Sequence, residues 1–407
     1  MKILMVSSTF PYPPSRSGTE VRTFNLLKYL KRNHSIALAT QRSEGTTEAD
    51  IEALGHWVDE MKIFPMQGEA TSSSKFGNLM GKAQRFWESV ATATPPNILH
   101  RYSPQMQAWI DDRITRGEFA AMTCEHSANA IYARPELRNY TRTVVNVHSS
   151  VYWGTVNYLK MNASENAPRD FLYLPTLYRY EKQYCNAIDR IVVTTPDDEE
   201  FLHRFNADAR IEIIANGVDL ELFPYRTEDP GGHRLIFVGA MDFQHNIDAV
   251  RFFALEVLPP LRQRYPDAEF IVAGNRPTAE IQALGEHPGV VVTGKVPSMV
   301  EYLHRSTVCV VPLRTGFGIK NKTLEAMAAG VPVVGSDRGL EGLEVDGEPL
   351  RALRANTVEE YITAIARLFE NPELRADIAK NARILIEKEF SWESAGERYE
   401  RVLLGEN

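Results

Sequence analysis

The stretch from Cys309 to Val334, CVVPLRTGFGIKNKTLEAMAAGVPVV, constrains the fold more than any other part of the chain. It begins with an apolar, β-branched run that is typical of a strand buried on both faces. Gly316 and Gly318 then interrupt the pattern and allow the backbone to approach a ligand closely. Strong helix formers follow, and Gly330 is the expected end of the helix because Pro332 cannot continue it. The order strand, glycine loop, helix, strand predicts a parallel α/β sheet.

The glycine loop and the helix N-terminus together suit phosphate, because free backbone N–H groups and the helix dipole point at an anion. Arg314, Lys320 and Lys322 add positive charge beside Ile319 in this loop, so a diphosphate is the expected ligand. Glu325 lies about one turn into the helix, where a carboxylate can accept two hydroxyl hydrogen bonds from a ribose. The alternative is that Glu325 only interacts favourably with the positive end of the helix dipole.

Length and composition bound the class of protein. A chain of 407 residues can bury a large core and is expected to form two domains. Its 45 basic and 53 acidic residues leave a net charge of −8, which argues against general nucleic-acid binding. The three cysteines are far apart without metal-ligand spacing, and we expect reduced core residues of a cytoplasmic protein. No apolar run approaches the roughly 20 residues that a membrane span needs.

The N-terminal half opens with a strand, a turn and a helix. An apolar strand at Ile3 to Val6 is followed by Gly18 and by a helix with an apolar stripe at helical spacing. This order predicts a doubly wound parallel sheet with ligands at the carboxyl ends of its strands. His126 and His148 each follow a predicted strand and are candidate site residues, with Glu125 as a competing candidate. The alternative is that both histidines are structural.

One segment of the N-terminal half is basic and amphipathic. Lys75, Lys82 and Arg85 share a helical stretch with four large apolar residues. Such a helix is suited to contact with an anionic membrane or a lipid-linked acceptor. The alternative is that the aromatic residues pack on the core while the basic residues remain in solvent.

The C-terminal half repeats the strand and helix series. It begins after a linker at residues 226–233 and continues to the stretch described first. Asn275, Arg276 and Val296 follow two further predicted strands, and we expect them to surround the base of a nucleotide. The chain closes with a predicted helix within residues 387–404.

Two short motifs carry a resemblance to a known family. The wording LEAMAAGVPVV and the sequence Asn216-Gly217-Val218-Asp219 resemble signatures of the family 4 glycosyltransferases, a retaining group with the GT-B fold. The resemblance implies two Rossmann-like, doubly wound parallel-sheet domains facing a cleft. It implies an acceptor-side domain at 1–222, a donor domain at 223–388, and a helix at 389–407 that crosses back to the first domain.

The same resemblance implies an activity and roles for particular residues. The implied reaction moves a sugar from a nucleotide-diphosphate sugar to a glycan or lipid-linked acceptor without a metal or a cofactor. The implied location is the cytoplasm or the inner face of the membrane. His126 resembles the family histidine that approaches the transferred sugar, Glu325 matches the second glutamate, and Gly18 matches a glycine-containing turn. Lys320 lies closer to the glycines than Lys322 does, so we expect Lys320 to contact the phosphates and to be catalytic with His126 and Glu325. The wording GIKNKTLEAMA is similar to a subgroup associated with bacterial surface-polysaccharide synthesis.

The chain departs from this family pattern in two places. The family usually carries two glutamates eight residues apart; the second matches Glu325, but the first position is Phe317. The arginine and lysine that contact the diphosphate in many members correspond to residues 240–241 and 244–245, which are neither. Two alternatives therefore stay open: a non-catalytic protein of the same fold that binds a nucleotide or glycan, and a nucleotide-sugar epimerase.

Overall fold

A computed structural model describes residues 1–14, 18–42, 45–66, 89, 91–160, 164, 166–316 and 318–406. The chain divides into two compact units: unit 1 comprises Met1–Ala215 with Ala395–Asn407, and unit 2 comprises Asn216–Ser394. The predicted basic segment at residues 75–85 and the departure at Phe317 lie outside the described residues.

The strands of unit 1 form one parallel sheet. They are β1 Lys2–Ser7, β2 Ser35–Gln41, β3 Glu60–Phe64, β4 Ala121–Glu125, β5 Arg142–His148, β6 Arg190–Val193 and β7 Ile211–Ile213. Within the described residues their order is β3-β2-β1-β4-β5-β6-β7, and every pair is parallel. The order reverses between β1 and β4, and ligands of doubly wound sheets bind at the carboxyl ends of strands beside such a point. The predicted doubly wound sheet of the N-terminal half is confirmed.

Helices cover both faces of this sheet's apolar strands. They are α1 Gly18–Leu30, α2 Glu48–Gly55, α3 Pro96–Arg101, α4 Pro104–Thr115, α5 Val151–Lys160, α6 Ala167–Ala187 and α7 Pro196–His203, with 3-10 segments at Ser127–Tyr132 and Pro135–Asn139. Side chains of Thr47, Ser103, Asn166 and Thr195 each accept a hydrogen bond from a first-turn N–H. Such caps satisfy backbone donors that the helix itself leaves unpaired, which is why these helices begin where they do.

Unit 2 repeats the architecture with a smaller sheet. Its strands are β8 Arg234–Val238, β9 Glu269–Ala273, β10 Val290–Gly294, β11 Val308–Val311, β12 Val333–Gly335 and β13 Leu353–Arg354. They are all parallel, in the order β10-β9-β8-β11-β12-β13. The order reverses between β8 and β11, so the loop that follows β11 is where such a sheet places a ligand.

The helices of unit 2 flank that sheet. They are α8 Gln244–Phe252, α9 Leu258–Arg264, α10 Ala279–Ala283, α11 Met299–His304, α12 Asn321–Ala328, α13 Val358–Glu370 and α14 Pro372–Glu389, with a π segment at Phe253–Val257 and a 3-10 segment at Leu284–Glu286. After α12, Gly330 adopts φ 76°, a left-handed conformation that glycine takes without strain. The predicted succession of strand, glycine loop, helix and strand is confirmed.

A last helix, α15 Trp392–Leu404, closes the described chain, and its residues from 395 onward belong to unit 1. Tyr399 and Leu403 are buried, and Gly396 lies so close to the ring of Tyr29 that a Cβ atom would clash with it. The three cysteines are free and buried, as predicted. Among the helices of the described ranges, none combines the length and the apolar character needed to cross a bilayer.

Candidate functional site

The glycine loop of unit 2 connects β11 to α12 at the reversal point of the sheet. Gly316 and Gly318 have φ values of 92° and 81°, which side chains rarely adopt, so both positions need glycine. Helix α12 begins at Asn321 without a side-chain cap from the described residues. The N–H of Thr323 donates to the carbonyl oxygen of Lys320 at 2.9 Å. The N–H groups of Asn321 and Lys322 have no acceptor among the described residues and can bind an anion.

Lys320 is used to hold this loop in place. Its ammonium donates hydrogen bonds to the carbonyl oxygens of Gly316 (3.3 Å) and Gly318. It also pairs with Glu341 at 3.2 Å, and both side chains are largely buried. Burial lowers the pKa of Lys320, although the Glu341 carboxylate opposes that shift. The charge of Lys320 is thus balanced by a neighbouring carboxylate before any ligand arrives.

Lys322 lies deeper in unit 2 and has fewer partners. Its Nζ donates to Asn246 Oδ1 at 2.5 Å and lies 4.0 Å from the centre of the Phe237 ring. A Cβ atom on Gly239, at the end of β8, would be 3.0 Å from this Nζ. Burial lowers the pKa of Lys322 to about 7. No carboxylate of the described residues lies within salt-bridge distance, so this ammonium can still pair with an anion.

Glu325 follows Lys322 by three residues on α12, so the two side chains share a face of the helix. Burial raises the pKa of Glu325 to about 7, and the charge of Lys322 counteracts this rise. A half-buried carboxylate that retains unused acceptor capacity is suited to a pair of hydroxyl groups. The predicted ribose contact remains a prediction, and the geometry is compatible with it.

His245, on α8, is a further group at the loop. Its ring lies 3.7 Å from the position that a Cβ atom on Gly316 would occupy, and it stacks on Phe243 with ring centres 5.7 Å apart. Burial and the charges of Lys322 and Lys320 lower the pKa of His245 to about 4, so the imidazole is neutral near pH 7. In the sequence, His245 stands out only because it lies where many family members have a lysine that contacts the diphosphate.

Two residues that were predicted to contact the ligand form ion pairs with carboxylates of unit 2. Arg314 makes a bidentate pair with Asp248, with Nε–Oδ2 at 2.9 Å. Arg276 likewise pairs with Asp242, with Nε–Oδ2 at 2.5 Å and Nη2–Oδ1 at 3.1 Å. Both arginines are exposed, and each fork is already satisfied by a carboxylate. The structure therefore gives no direct phosphate contact to either of them.

Three other residues of the predicted donor site have ordinary surroundings. The carbonyl oxygen of Asn275 accepts a hydrogen bond from Met241 N at 2.9 Å, which links the ends of β8 and β9. Val296 is half-buried just beyond β10. Ile319 is half-buried and packs against Gly342, where a Cβ atom would approach it to 2.8 Å. These residues shape the walls of the loop region and supply no charge to it.

The two predicted histidines of unit 1 lie together at the carboxyl ends of β4 and β5. Their ring centres are 5.3 Å apart, with the edge of one ring facing the other. His126 and His148 both have positive φ, 79° and 67°, a strained conformation that is concentrated at functional sites. Burial lowers the pKa of both, so each imidazole is neutral near pH 7. His148 Nε2 is buried without a hydrogen-bond partner among the described residues.

Glu125 belongs to a buried network instead of the exposed end of the strand. Its carboxylate accepts hydrogen bonds from Thr123 Oγ1 (2.9 Å), Tyr399 OH (2.7 Å) and Asn146 Nδ2 (2.9 Å). Asn146 Oδ1 in turn accepts from Nε of Arg22 at 2.9 Å. Burial raises the pKa of Glu125. This carboxylate is enclosed and cannot meet a sugar without breaking the network, so it is best described as support for the neighbouring histidine.

Gly18 of unit 1 is the last of the predicted site residues. Gly18 is the exposed first residue of α1, and no described atom lies within 4 Å of the place where its Cβ would be. The space beside it is open, and open space alone assigns no ligand, so the predicted role of Gly18 stays a prediction. Over the described parts of the chain, no three His, Cys, Asp or Glu side chains converge in a way that could hold a metal ion.

Family profiles match both halves of the chain. The family described as Glycosyltransferase Family 4 matches residues 16–222, and that described as Glycosyl transferases group 1 matches residues 232–371. An uncharacterised glycosyltransferase of Methanocaldococcus jannaschii is 24% identical over 243 residues, which cover 55% of this chain and 62% of that protein. The matched part thus spans less than two thirds of that relative's length.

Solved structures are similar over nearly the whole chain. Sucrose-phosphate synthase from Thermosynechococcus elongatus has a TM-score of 0.68 at 19% identity, covering 99% of this chain and 98% of that one. The Anabaena protein HepE, solved with UDP and glucose, has a TM-score of 0.65 at 14% identity, and the match covers 100% of both chains. At such identities the likeness shows the fold alone.

Proposed function

This chain belongs to the family 4, or group 1, glycosyltransferases with the GT-B fold, and we propose that it is a retaining enzyme that uses a nucleotide-diphosphate sugar. The acceptor we propose is a glycan or lipid-linked glycan of polysaccharide synthesis. The subgroup resemblance of residues 318–328 supports that choice of acceptor.

One observation carries the donor proposal: the Lys322 ammonium lies beside the N-terminal turn of α12, with Glu325 on the same helix face. A nucleoside diphosphate carries negative charge next to a ribose with two hydroxyl groups. The ammonium and the free N–H groups match the first part, and the carboxylate matches the second. The Anabaena protein, which is solved with UDP and glucose, has a similar fold and supports UDP-sugars as the first donors to try.

The proposed reaction depends on positive charge beside the leaving group more than on a nucleophile of the enzyme. As the bond from the sugar to the diphosphate breaks, Lys322 and the helix N-terminus stabilise the charge that develops on the departing phosphate. Glu125, the carboxylate next to His126, is enclosed by three hydrogen bonds and is not free to form a covalent intermediate. We therefore propose that the acceptor hydroxyl attacks the sugar on the same face from which the diphosphate leaves. The departing phosphate accepts the proton of that hydroxyl.

We assign His126 and His148 to hydrogen bonds with sugar hydroxyl groups on the acceptor side. Both imidazoles are neutral because burial disfavours the charged form, so each ring has one donor and one acceptor nitrogen. The buried Nε2 of His148 gains a partner if a hydroxyl group reaches it. A neutral histidine can thus position a sugar without adding charge to the site.

A donor panel tests this function. Purified protein is offered UDP-, GDP- and TDP-sugars, and released nucleoside diphosphate and the anomeric configuration of the product are measured, the latter by proton NMR. We expect release of one nucleotide and a product of retained configuration. Binding without release would favour a non-catalytic protein. An isomerised sugar that is still attached to the nucleotide would favour an epimerase. A product of inverted configuration would refute the proposed retention.

Glu325→Ala should weaken binding of the accepted nucleoside diphosphate by about 1.5–3 kcal/mol, because a buried hydrogen bond to a charged group contributes that much. Glu325→Gln keeps one acceptor oxygen and should lose less. Isothermal titration calorimetry measures both. Glu373→Ala, at an exposed position of α14, is the matched control and should bind as the wild type does. Unchanged affinity in Glu325→Ala would remove the ribose assignment.

Binding of the diphosphate should weaken as pH rises above about 7. Burial holds the pKa of Lys322 at about 7, so the free protein loses this positive charge above that pH. A bound anion favours the charged form, and binding must then take up a proton. The dissociation constant of UDP should rise up to about tenfold per pH unit between pH 7 and 9. Because Glu325 also titrates near 7, calorimetry is repeated in Glu325→Gln; a flat profile there contradicts the Lys322 assignment.

Transfer should continue in excess chelator. We propose that Lys322 and the α12 N-terminus supply the positive charge that a divalent cation provides in metal-dependent transferases. The rate of nucleoside diphosphate release is measured with and without EDTA, and we expect the two rates to agree. Loss of activity that only Mn²⁺ or Mg²⁺ restores would show that the lysine and the helix are insufficient.

A further inference from the structure

Helix α5 of unit 1 is apolar in sequence and yet has no buried residue. Its sequence is VYWGTVNYLK, and Val151 and Tyr158 are 38% and 46% exposed. A helix of a globular protein ordinarily buries its apolar face against the core. The side chains of Tyr152 and Trp153 pack partly on the core of unit 1. The exposed apolar surface of α5 is left to contact another molecule.

Helix α6 packs against α5 and extends this surface. Phe171 and Leu172 are 64% and 55% exposed, and Tyr178, two turns after Phe171, is 38% exposed. Helical spacing puts these three on one side of α6, while the residues buried on the opposite side pack on the core of unit 1. We call Val151, Tyr158, Phe171, Leu172 and Tyr178 the apolar patch.

An aromatic cluster fixes the base of the apolar patch. The ring of Tyr152 lies 5.4 Å from that of Tyr178 and 5.7 Å from that of Phe205. Trp153 Nε1 donates a hydrogen bond to the carbonyl oxygen of Phe201 at 3.2 Å. Edge-to-face aromatic packing and a satisfied indole stabilise this arrangement. The exposure of the patch is therefore built into the fold of the two helices.

Exposed basic residues lie beside the apolar patch on α5 and α6, and we call them the basic rim. Lys160, at the end of α5, and Arg179 and Lys182 on α6 are exposed. Arg179 and Lys182 follow Phe171 by eight and eleven residues and so share its side of the helix. The acidic residues of α6 do not offset them, because Asp170 pairs with its neighbouring arginine and Glu181 is buried. This local excess contrasts with the net charge of −8 for the whole chain.

We propose that the apolar patch and its basic rim form a docking surface for an anionic lipid bilayer. Tyrosine and phenylalanine side chains of this kind insert at the headgroup level, while lysine and arginine pair with anionic headgroups. Charge complementarity decides between partners, because a bilayer rich in acidic lipid is both apolar and negative. The surface lies outside the predicted basic segment at residues 75–85, and it does not depend on the proposed transfer reaction.

Vesicle flotation tests this surface with the full chain. Wild-type protein is mixed with vesicles of phosphatidylcholine alone, or of phosphatidylcholine and phosphatidylglycerol in equal parts. We expect binding to the anionic vesicles and little to the neutral ones. Phe171→Ser with Leu172→Ser, and Arg179→Glu with Lys182→Glu, should each lower the partition coefficient at least about tenfold. Exposed side chains are changed, so thermal unfolding should stay as in the wild type.

Matched controls lie in unit 2. Leu255→Ser with Ile384→Ser removes two apolar residues that are 41% and 53% exposed, and Lys380→Glu reverses an exposed charge. Both should bind vesicles as the wild type does. Equal binding to neutral and anionic vesicles, or controls as defective as the patch variants, would overturn the proposal.

Self-association is the other outcome that would overturn it. If the apolar patch instead joins two copies of the chain, sedimentation in the absence of lipid will show a dimer. The variant with Phe171→Ser and Leu172→Ser would then be a monomer, and wild-type protein would not float with anionic vesicles. A wild-type monomer that floats only with anionic vesicles supports the bilayer.

Discussion

Lys322→Met is expected to lower kcat/KM for the proposed sugar transfer by about 10²–10³, the loss that follows when one preorganised donor to a developing negative charge is removed. The structure gives Lys322 this weight because its ammonium has a single amide partner, Asn246, and no carboxylate among the described residues pairs with it. Calorimetry should show weaker UDP binding in the same variant. The midpoint of thermal unfolding should hardly change, because the removed charge was costly to bury.

Lys320→Met is the informative comparison. The nearness of Lys320 to the glycines predicts that it contacts the phosphates, yet its ammonium is occupied by Glu341 and two loop carbonyls. We now expect a loss of about tenfold or less in kcat/KM, with a lower midpoint of unfolding because Glu341 loses a partner. Lys380→Met, on the exposed face of α14, should match the wild type. If Lys320→Met is the more damaging variant, Lys320 and not Lys322 is the main contact of the diphosphate.

Arg22→Met is expected to destabilise unit 1 by about 3–5 kcal/mol, the cost of removing one partner from a buried charged network. Arg22 is fully buried and donates to Asn146 Oδ1 (2.9 Å) and to the carbonyl oxygens of Ile214 (2.8 Å) and Ala215 (3.1 Å). Burial lowers its pKa to about 10, and the nearby Glu125 opposes that shift. Loss of the guanidinium leaves three acceptors without their donor. Urea unfolding followed by intrinsic fluorescence measures the change.

Arg116→Met is the matched control for this loss. Arg116 is 64% exposed and pairs with Asp112 on the helix surface, an interaction that contributes little. Its replacement should change the free energy of unfolding by less than about 0.5 kcal/mol. If Arg22→Met is equally mild, the network does not hold unit 1 together, and the support it gives to His126 would have to come from elsewhere.

Sequence patterns predict the fold well because both sheets are fully parallel. Strands such as β1 and β11 are buried on both faces, so their apolar runs stand out against the loops. The glycine loop and α12 are equally visible, because Gly316, Gly318 and Gly330 meet backbone needs that few other residues meet. Family membership follows from the same words and is confirmed by the profile matches.

Sequence patterns do not predict the direction in which each charged side chain points. Spacing along the chain puts Lys320 and Lys322 two residues apart and predicts only that they face different sides. The partner that decides their roles, Asn246, lies 76 residues before Lys322, and Glu341 lies 21 residues after Lys320. Likewise, nothing near Arg314 signals that Asp248 will pair with it. Such pairings arise from tertiary packing, so a single sequence could not supply them.

The contact between Tyr399 and Glu125 has a consequence for biosynthesis. Residues 1–215 leave the ribosome long before Tyr399 does, yet the Glu125 carboxylate needs the Tyr399 hydroxyl as one of its donors. All of unit 2 must therefore be translated before unit 1 can reach its final state. A chain interrupted anywhere within unit 2 would carry an unfinished unit 1, recognisable to quality-control proteases. In this way the last helix makes translation through Tyr399 a condition for a stable unit 1.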